Sequence, residues 1–305
     1  MPSYPFVTVD VFTSVRFGGN PLAVVTDARG LTGEQMQQIA AEFNYSESTF
    51  VLPPDHPENA AQVRMFTPTT EIPFAGHPNV GMGYVLGRAG YVLGTPIGSI
   101  LRFEEKAGLV EIRLTGFGDQ ITAARISAPA PLTLREGPDP QMVAACGSLS
   151  LDDILTTNHP PVMASVGLEF AIAELADLDA LARAKPNQAA FEAANDAIPS
   201  SGIALSLFLY VLVSTDPLVV RARMFAPLDN VPEDPATGSA SGALAGLLAS
   251  LNPTAELTQH VTVQQGVEMG RPSTIELDVT KREGNVAKVV IGGECMPVMR
   301  GTIEV

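Results

Sequence analysis

The segment Arg64-Met65-Phe66-Thr67-Pro68 returns as Arg223-Met224-Phe225-Ala226-Pro227, and the residues after each copy repeat a pattern as well. The first copy continues through Glu71-Ile72-Pro73-Phe74-Ala75-Gly76-His77-Pro78, the second through Pro232-Glu233-Asp234-Pro235-Ala236-Thr237-Gly238-Ser239. Each continuation reads as an acidic, Pro-containing loop and then a Gly-rich helix start. Arg64 and Arg223 lie 159 positions apart and Gly76 and Gly238 162 apart, so the spacing survives across the copies. Chance could supply one short match, but hardly the match, its continuation and similar flanking hairpins in one order. The chain therefore reads as a duplicated α+β unit. Stretches rich in Pro and small residues, Ser127 to Leu132 and Glu136 to Pro140, mark the crossing between copies. The expected halves are residues 1–127 and 128–305, with Pro297 to Val305 free to return to the first half.

Local patterns fill in the unit. Val7, Val9 and Val11 alternate with Thr8 and Asp10, and Leu22 to Val25 is a second β-rich run beyond Gly18-Gly19-Asn20-Pro21. Thr32 with Gln35 forms a capping box ahead of Met36, Ile39, Ala40 and Phe43 at helical spacing, which predicts an amphipathic helix ending near Asn44. Glu47 then stands at a loop-to-strand junction. Hairpins are expected over Ile100 to Leu114 and Ile275 to Ile291. The two Gly-rich segments carry Gly81, Gly83 and Gly87 in one copy and Gly242 and Gly246, with several alanines, in the other. Glycine costs helix stability, so close backbone approach must compensate, as for a helix inside a curled sheet.

Composition excludes several classes. At 46% hydrophobic and 17% charged residues, 305 residues suffice for one large domain or two medium ones. The net charge of −15, without any basic run, argues against nucleic acid. A small anionic, carboxylate-bearing substrate remains compatible, because helix N-termini act locally. Cys146 and Cys295 form no ligand pair or disulfide framework, and the longest apolar stretch, Ile203 to Val213, is too short to span a membrane. No signal peptide is evident, so a cytoplasmic protein is expected. Walker A, dinucleotide and nucleophile-elbow patterns are absent, and the four histidines lack zinc-helix spacing, so neither metal nor cofactor is indicated.

Two helix N-termini starting from equivalent loops suit a carboxylate, with Gly76 and Gly238 admitting substrate to the backbone. The same features also read as ordinary caps and packing glycines. Glu47, His77 and Asp234 are the candidate polar residues, and each has a plain structural alternative: a solvated residue before a strand, a cap, a turn initiator.

Several blocks together resemble the PhzF-like phenazine-biosynthesis proteins, which share the fold of diaminopimelate epimerase. They are Asp10-Val-Phe, Gly19-Asn-Pro-Leu-Ala-Val24, Ser46-Glu-Ser-Thr-Phe-Val51, Arg64 to Pro68, Gly76-His-Pro78, Asp234 to Ser239 and Gly270-Arg-Pro-Ser273. The resemblance implies an α+β fold of two pseudo-symmetric halves, each a curled, mostly antiparallel sheet or barrel around a central helix, with the active site between them. It also implies a homodimer. Glu47 then corresponds to the family's acid and base, His77, Asp234 and Ser239 to residues that bind and orient substrate, and Asn20, Gly76 and Gly238 to further substrate-binding positions. Related epimerases place a cysteine at each central-helix start, where this chain has Ala75 and Thr237. The implied activity is a cofactor-independent isomerase moving a proton between carbons of a small carboxylic acid, resembling dihydro-hydroxyanthranilate isomerase. Partial desolvation would raise Glu47 from the ordinary glutamate value of about 4.3 and let its acid form contribute. The alternatives are a cysteine-free amino-acid racemase or epimerase, and a non-catalytic small-molecule binding protein.

Overall fold

The computed structural model describes residues 1–116, 118–198 and 204–305. The chain divides into two compact units, Met1–Ser127 with Gly292–Val305, and Ala128–Ile291. The first contains β1 (Ser3–Val11), β2 (Asn20–Val25), α1 (Gly33–Phe43), β3 (Glu47–Leu52), β4 (Ala61–Phe66), β5 (Glu71–Ile72), α2 (Gly76–Ala89), the small hairpin β6 (Tyr91–Val92) and β7 (Thr95–Pro96), β8 (Ile100–Glu105), β9 (Gly108–Thr115) and β10 (Ala123–Ser127). The second contains β11 (Thr133–Glu136), α3 (Pro140–Cys146), β12 (Ile154–Leu155), β13 (Val162–Ser165), β14 (Glu169–Leu175), α4 (Leu178–Arg183), α5 (Gln188–Ala197), β15 (Leu207–Thr215), β16 (Leu218–Ala226), β17 (Val231–Asp234), α6 (Gly238–Leu251), β18 (Leu257–Gln265) and β19 (Ser273–Arg282). The long β20 (Asn285–Glu304) begins in the second unit and ends in the first. Of the apolar run ending at Val213, Ile203 lies outside the described residues, and the part from Leu207 onward is β15.

The duplication extends to strand pairing. In the first unit β1–β2 is antiparallel, β2–β3 parallel, β3–β4 antiparallel, β4–β8 parallel and β8–β9 antiparallel. In the second, β13–β14, β14–β15, β15–β16, β16–β18 and β18–β19 repeat that alternation in the same order. The parallel steps each need a crossover; between β2 and β3 it is α1, and between β14 and β15 it is α4 with α5. The C-terminal stretch completes the first sheet: β10 pairs with β20, and β20 runs antiparallel to β1 from Cys295↔Val11 to Glu304↔Ser3.

The acidic stretches after each Arg-Met-Phe copy are strands rather than the loops expected from their charge and proline. Met65 pairs with Ile72 and Met224 with Asp234. An ion pair across the strands explains this. Arg64 donates to Glu71 at 2.7 and 2.8 Å, and Arg223 to Glu233 at the same distances. Each guanidinium also lies over the phenylalanine two positions on, 5.1 Å from the Phe66 centroid and 5.0 Å from that of Phe225. The repeated motif is thus a structural clamp of Arg, Phe and Glu. The Arg64 guanidinium, with Lys106 beside it, holds the Glu71 carboxyl down at about 2.

Both Gly-rich segments are 14-residue helices with their starts where the sequence places them. Gly76 through Gly87 are buried without interruption, and α2 packs on β1, β2, β9 and β10. In the second unit α6 lies against β13, β14, β18 and β19. A Cβ at Gly81 would stand 2.6 Å from Val11 Cγ2 and 2.7 Å from Leu22 Cδ2, whereas one at Gly246 would meet only the mobile end of Leu132, at 3.1 Å. Gly81→Ala is therefore expected to destabilise by about 1–3 kcal/mol despite alanine's better helix propensity. Gly246→Ala should change stability by less than about 1 kcal/mol, since the propensity gain offsets a small adjustment. Equal effects in urea titrations would refute the close-packing account of Gly81.

Outside the first sheet, α1 buries Met36, Ile39 and Ala40 against Val25, Phe50 and Phe66. Its capping box is present, with Thr32 Oγ1 accepting from Gln35 N and Gln35 Oε1 from Thr32 N.

Candidate active site

The polar residues singled out in the first half converge. Parallel pairing of β2 with β3 sets Leu22 opposite Glu47, so the starts of the two strands, with Asn20 and Glu47, lie side by side. The loop delivering Asn20 is tightly built. Phe17 N–H donates to Asp10 Oδ2 at 2.7 Å, and Gly19 has φ +61°, where a Cβ would collide with the Val11 carbonyl. His77, second residue of α2, places Nδ1 3.5 Å from Glu47 Oε2 and 3.4 Å from Asn20 Nδ2. Ser46 Oγ, beside Glu47 in the chain, donates to Asn20 Oδ1 at 2.9 Å.

Burial sets the charge of the imidazole. Burial pulls His77 down to about 3, against the opposing Pro21 backbone contact, so the ring is neutral at physiological pH. Ser46 donates to the Asn20 oxygen, and the Asn20 amide nitrogen faces His77 Nδ1, the same ring nitrogen that approaches Glu47. The other ring nitrogen, Nε2, is buried without a hydrogen-bond partner among the described residues. The contact with Glu47 is correspondingly a polar contact with a neutral ring, not a charge pair.

Gly76 opens α2, whose N-cap is Ala75 and which no side chain caps. The equivalent N-cap of α6 is Thr237, also without a side-chain cap bond to the helix. Neither position offers a thiol. Cys146 and Cys295 are both buried, and burial pushes the Cys146 thiol up to about 11 and raises that of Cys295 as well.

In the second unit Asp234 closes β17, ahead of the start of α6 at Gly238 and Ser239. Thr237 Oγ1 donates to Asp234 Oδ2 at 2.6 Å and accepts from Gln265 Nε2 at 3.0 Å. Gln265 also donates to the Asp234 carbonyl at 2.7 Å, while its oxygen accepts from Thr237 N–H at 2.9 Å. The fully buried Gln265 thus ties Asp234 to the helix start. Sequence reasoning passed over it, although the inward alternation Val261, Val263, Gln265 along β18 puts an amide in a core position. Nearby, Ser273 Oγ donates to the Pro235 carbonyl at 2.9 Å. The structure thus joins Asn20, Glu47, Gly76 and His77 in one unit, and Asp234, Gly238 and Ser239 in the other.

The model of the PhzC-PhzF family, phenazine biosynthesis-like protein, matches residues 9–301. The chain belongs to the phenazine biosynthesis-like protein family. A curated family relative, an uncharacterized isomerase of Mesorhizobium japonicum, is 36% identical over 305 residues, covering 99% of each chain. The trans-2,3-dihydro-3-hydroxyanthranilate isomerase of Pseudomonas fluorescens is 35% identical over 298 residues, covering 98% of each. Among solved structures, the Bacillus anthracis phenazine biosynthesis protein of the PhzF family superposes with a TM-score of 0.86 at 26% identity, covering all of both chains. As a PhzF-family protein the chain is an isomerase with the diaminopimelate epimerase-like α+β fold. No helix of the described residues is long and apolar enough to cross a membrane.

Proposed function

We propose that this PhzF-type isomerase shifts a proton between two carbons of a small cyclic or unsaturated carboxylic acid, without a cofactor, with Glu47 as the acid and base. The carrying observation is the approach of Glu47 Oε2 to a neutral, buried His77 whose Nε2 has no hydrogen-bond partner among the described residues. In the first step a carboxylate oxygen of Glu47 takes the proton from carbon, the C–H electrons pass into the substrate's conjugated system, and negative charge gathers on its carboxylate side. The uncapped start of α2, with the neutral His77 in its first turn, stabilises that charge. In the second step the Glu47 carboxylic acid returns the proton to a different carbon, and both enzyme and atom balance are restored. Asn20 holds the imidazole in place, and Gly76 leaves room at the helix start. Asp234, Gly238 and Ser239 bind and orient the same small anionic substrate, a role that rests on the family resemblance. Ala75 and Thr237 at the helix starts argue against two-thiol stereoinversion.

The compound to test is trans-2,3-dihydro-3-hydroxyanthranilate, for which a relative of 35% identity is named. Chelator-dialysed protein in deuterated water should isomerise it or a related allylic acid, with solvent deuterium entering the product at one carbon. Thermal stabilisation by such acids without isomer or deuterium uptake would overturn the proposal in favour of a binding protein.

A further inference from the structure

Glu105, last residue of β8, is a carboxylate that the reaction above does not use. Both its carboxyl oxygens are buried without a hydrogen-bond partner among the described residues, and so is Oδ1 of Asn79. Asn79 is the fourth residue of α2, and its carboxamide faces the Glu105 carboxyl. One amide N–H donates to the Ala75 carbonyl at 3.1 Å, and the other is turned toward the Glu105 carboxyl. The turn after Glu105 also reaches this segment, through Ala107 N–H to the Pro73 carbonyl at 3.1 Å.

The charged neighbours do not neutralise Glu105. On β4 and in the turn, Arg64 and Lys106 both pair with Glu71 of β5. On β8, Glu104 accepts from the backbone N–H groups of Asp55 and His56 and from the Asn59 amide. On α2, His77 is neutral. With only the Asn79 amide N–H acting on the carboxyl among the described residues, these buried oxygens carry a heavy desolvation cost if Glu105 is ionised, and one added proton converts an acceptor into a donor for Asn79 Oδ1. Burial accordingly pushes the Glu105 carboxyl up to about 8, against the influence of the Asn79 amide.

We propose that Glu105 stands at neutral pH as a carboxylic acid whose O–H donates to Asn79 Oδ1, and that this bond positions the first turn of α2, with Gly76 and His77, for the reaction at Glu47. Asn79 then joins the β8–β9 turn to the Ala75 carbonyl at the helix start. Glu105 is a positioning residue, since it touches no reacting atom. The positioning half of the proposal rests on the function proposed above, whereas the protonation half does not.

Two measurements decide it. Infrared difference spectra of the wild type against Glu105→Gln should show a protonated carboxyl C=O band at pH 7 that fades as pH rises through about 8. Its absence at pH 7 would overturn the protonation whatever the reaction proves to be. In isomerisation assays, wild-type kcat should fall above about pH 8, while Glu105→Gln, a neutral donor of similar shape, keeps kcat within a few-fold at pH 7 and loses that alkaline limb. Glu105→Ala should lose roughly 10- to 100-fold in kcat at pH 7 through displacement of the helix start. An unchanged alkaline limb in Glu105→Gln would overturn the positioning role, and this test stands even if Glu105→Ala fails to fold.

Discussion

Glu47→Gln is expected to lower kcat by about 10²- to 10⁴-fold while KM changes only a few-fold, because it removes a proton carrier and keeps the side chain's shape. The fold should tolerate it. Glu47 opens β3 rather than sitting within the core, and the contact it makes with His77 is with an uncharged ring. Glutamine can still present an oxygen or an amide to Nδ1, so the thermal midpoint should stay close to the wild type's. Glu47→Asp retains the carboxylate but draws it back by about one bond length, and a displacement on the order of 1 Å can cost roughly 100-fold. The expected order of kcat is therefore wild type, Asp, Gln. A Gln variant within about tenfold of wild type would remove Glu47 from the proton path and leave the family assignment untouched.

The second large effect concerns stability. Arg223→Ala is expected to destabilise the second unit by about 3–5 kcal/mol, the range for breaking a buried ion pair from one side. The Arg223 side chain is only 8% exposed, and besides gripping Glu233 it donates through Nη1 to the Leu181 carbonyl at 2.9 Å and the Ala184 carbonyl at 2.8 Å. It therefore caps the C-terminal end of α4 as well as clamping β17. Its removal takes a donor from the Glu233 carboxylate and from the Leu181 and Ala184 carbonyls. The equivalent change in the first unit, Arg64→Ala, should cost less, about 1–2 kcal/mol, because Arg64 is 29% exposed and Glu71 keeps Lys106 at 2.7 Å. Urea titrations of the two variants test the ranking, and equal losses would show that the α4 cap contributes nothing.

The starts of α2 and α6, the α1 capping box and the flanking hairpins were legible because each rests on residues within a few positions of one another, and the duplication because each copy is itself such a short string. Periodicity, capping chemistry and glycine content report on such neighbourhoods. The acidic stretches were misread for the opposite reason. Glu71 and Glu233 are held in strands by arginines seven and ten positions away, and no local pattern announces a partner across a sheet. The repeat itself was visible, while its meaning was not: Arg, Phe and Glu recur because each copy needs the same clamp.

The site divides along the same line. Glu47, His77 and Asp234 were candidates by residue type, each with a plain structural alternative. Only the fold shows that Asn20, 57 positions from His77, lies against the imidazole. Gln265 and Glu105 were invisible as functional residues, since their importance lies in what surrounds them. One is an amide filling a core position, the other a carboxyl buried with no charged partner among the described residues.

The return of the C-terminal stretch to β1 sets the order in which the protein can be made. Residues Ala128–Ile291 are contiguous, so the second unit can close its core as soon as Ile291 has left the ribosome. The first unit, although synthesised first, lacks the strand beside β1 until Cys295 to Glu304 emerge late in translation. Until then β1 presents an open hydrogen-bonding edge, a template for wrong partners. The unit that carries Glu47 and His77 thus begins before the second unit and closes after it. Loss of residues from the Cys295 to Glu304 stretch falls on that unit rather than on the one it adjoins in the chain.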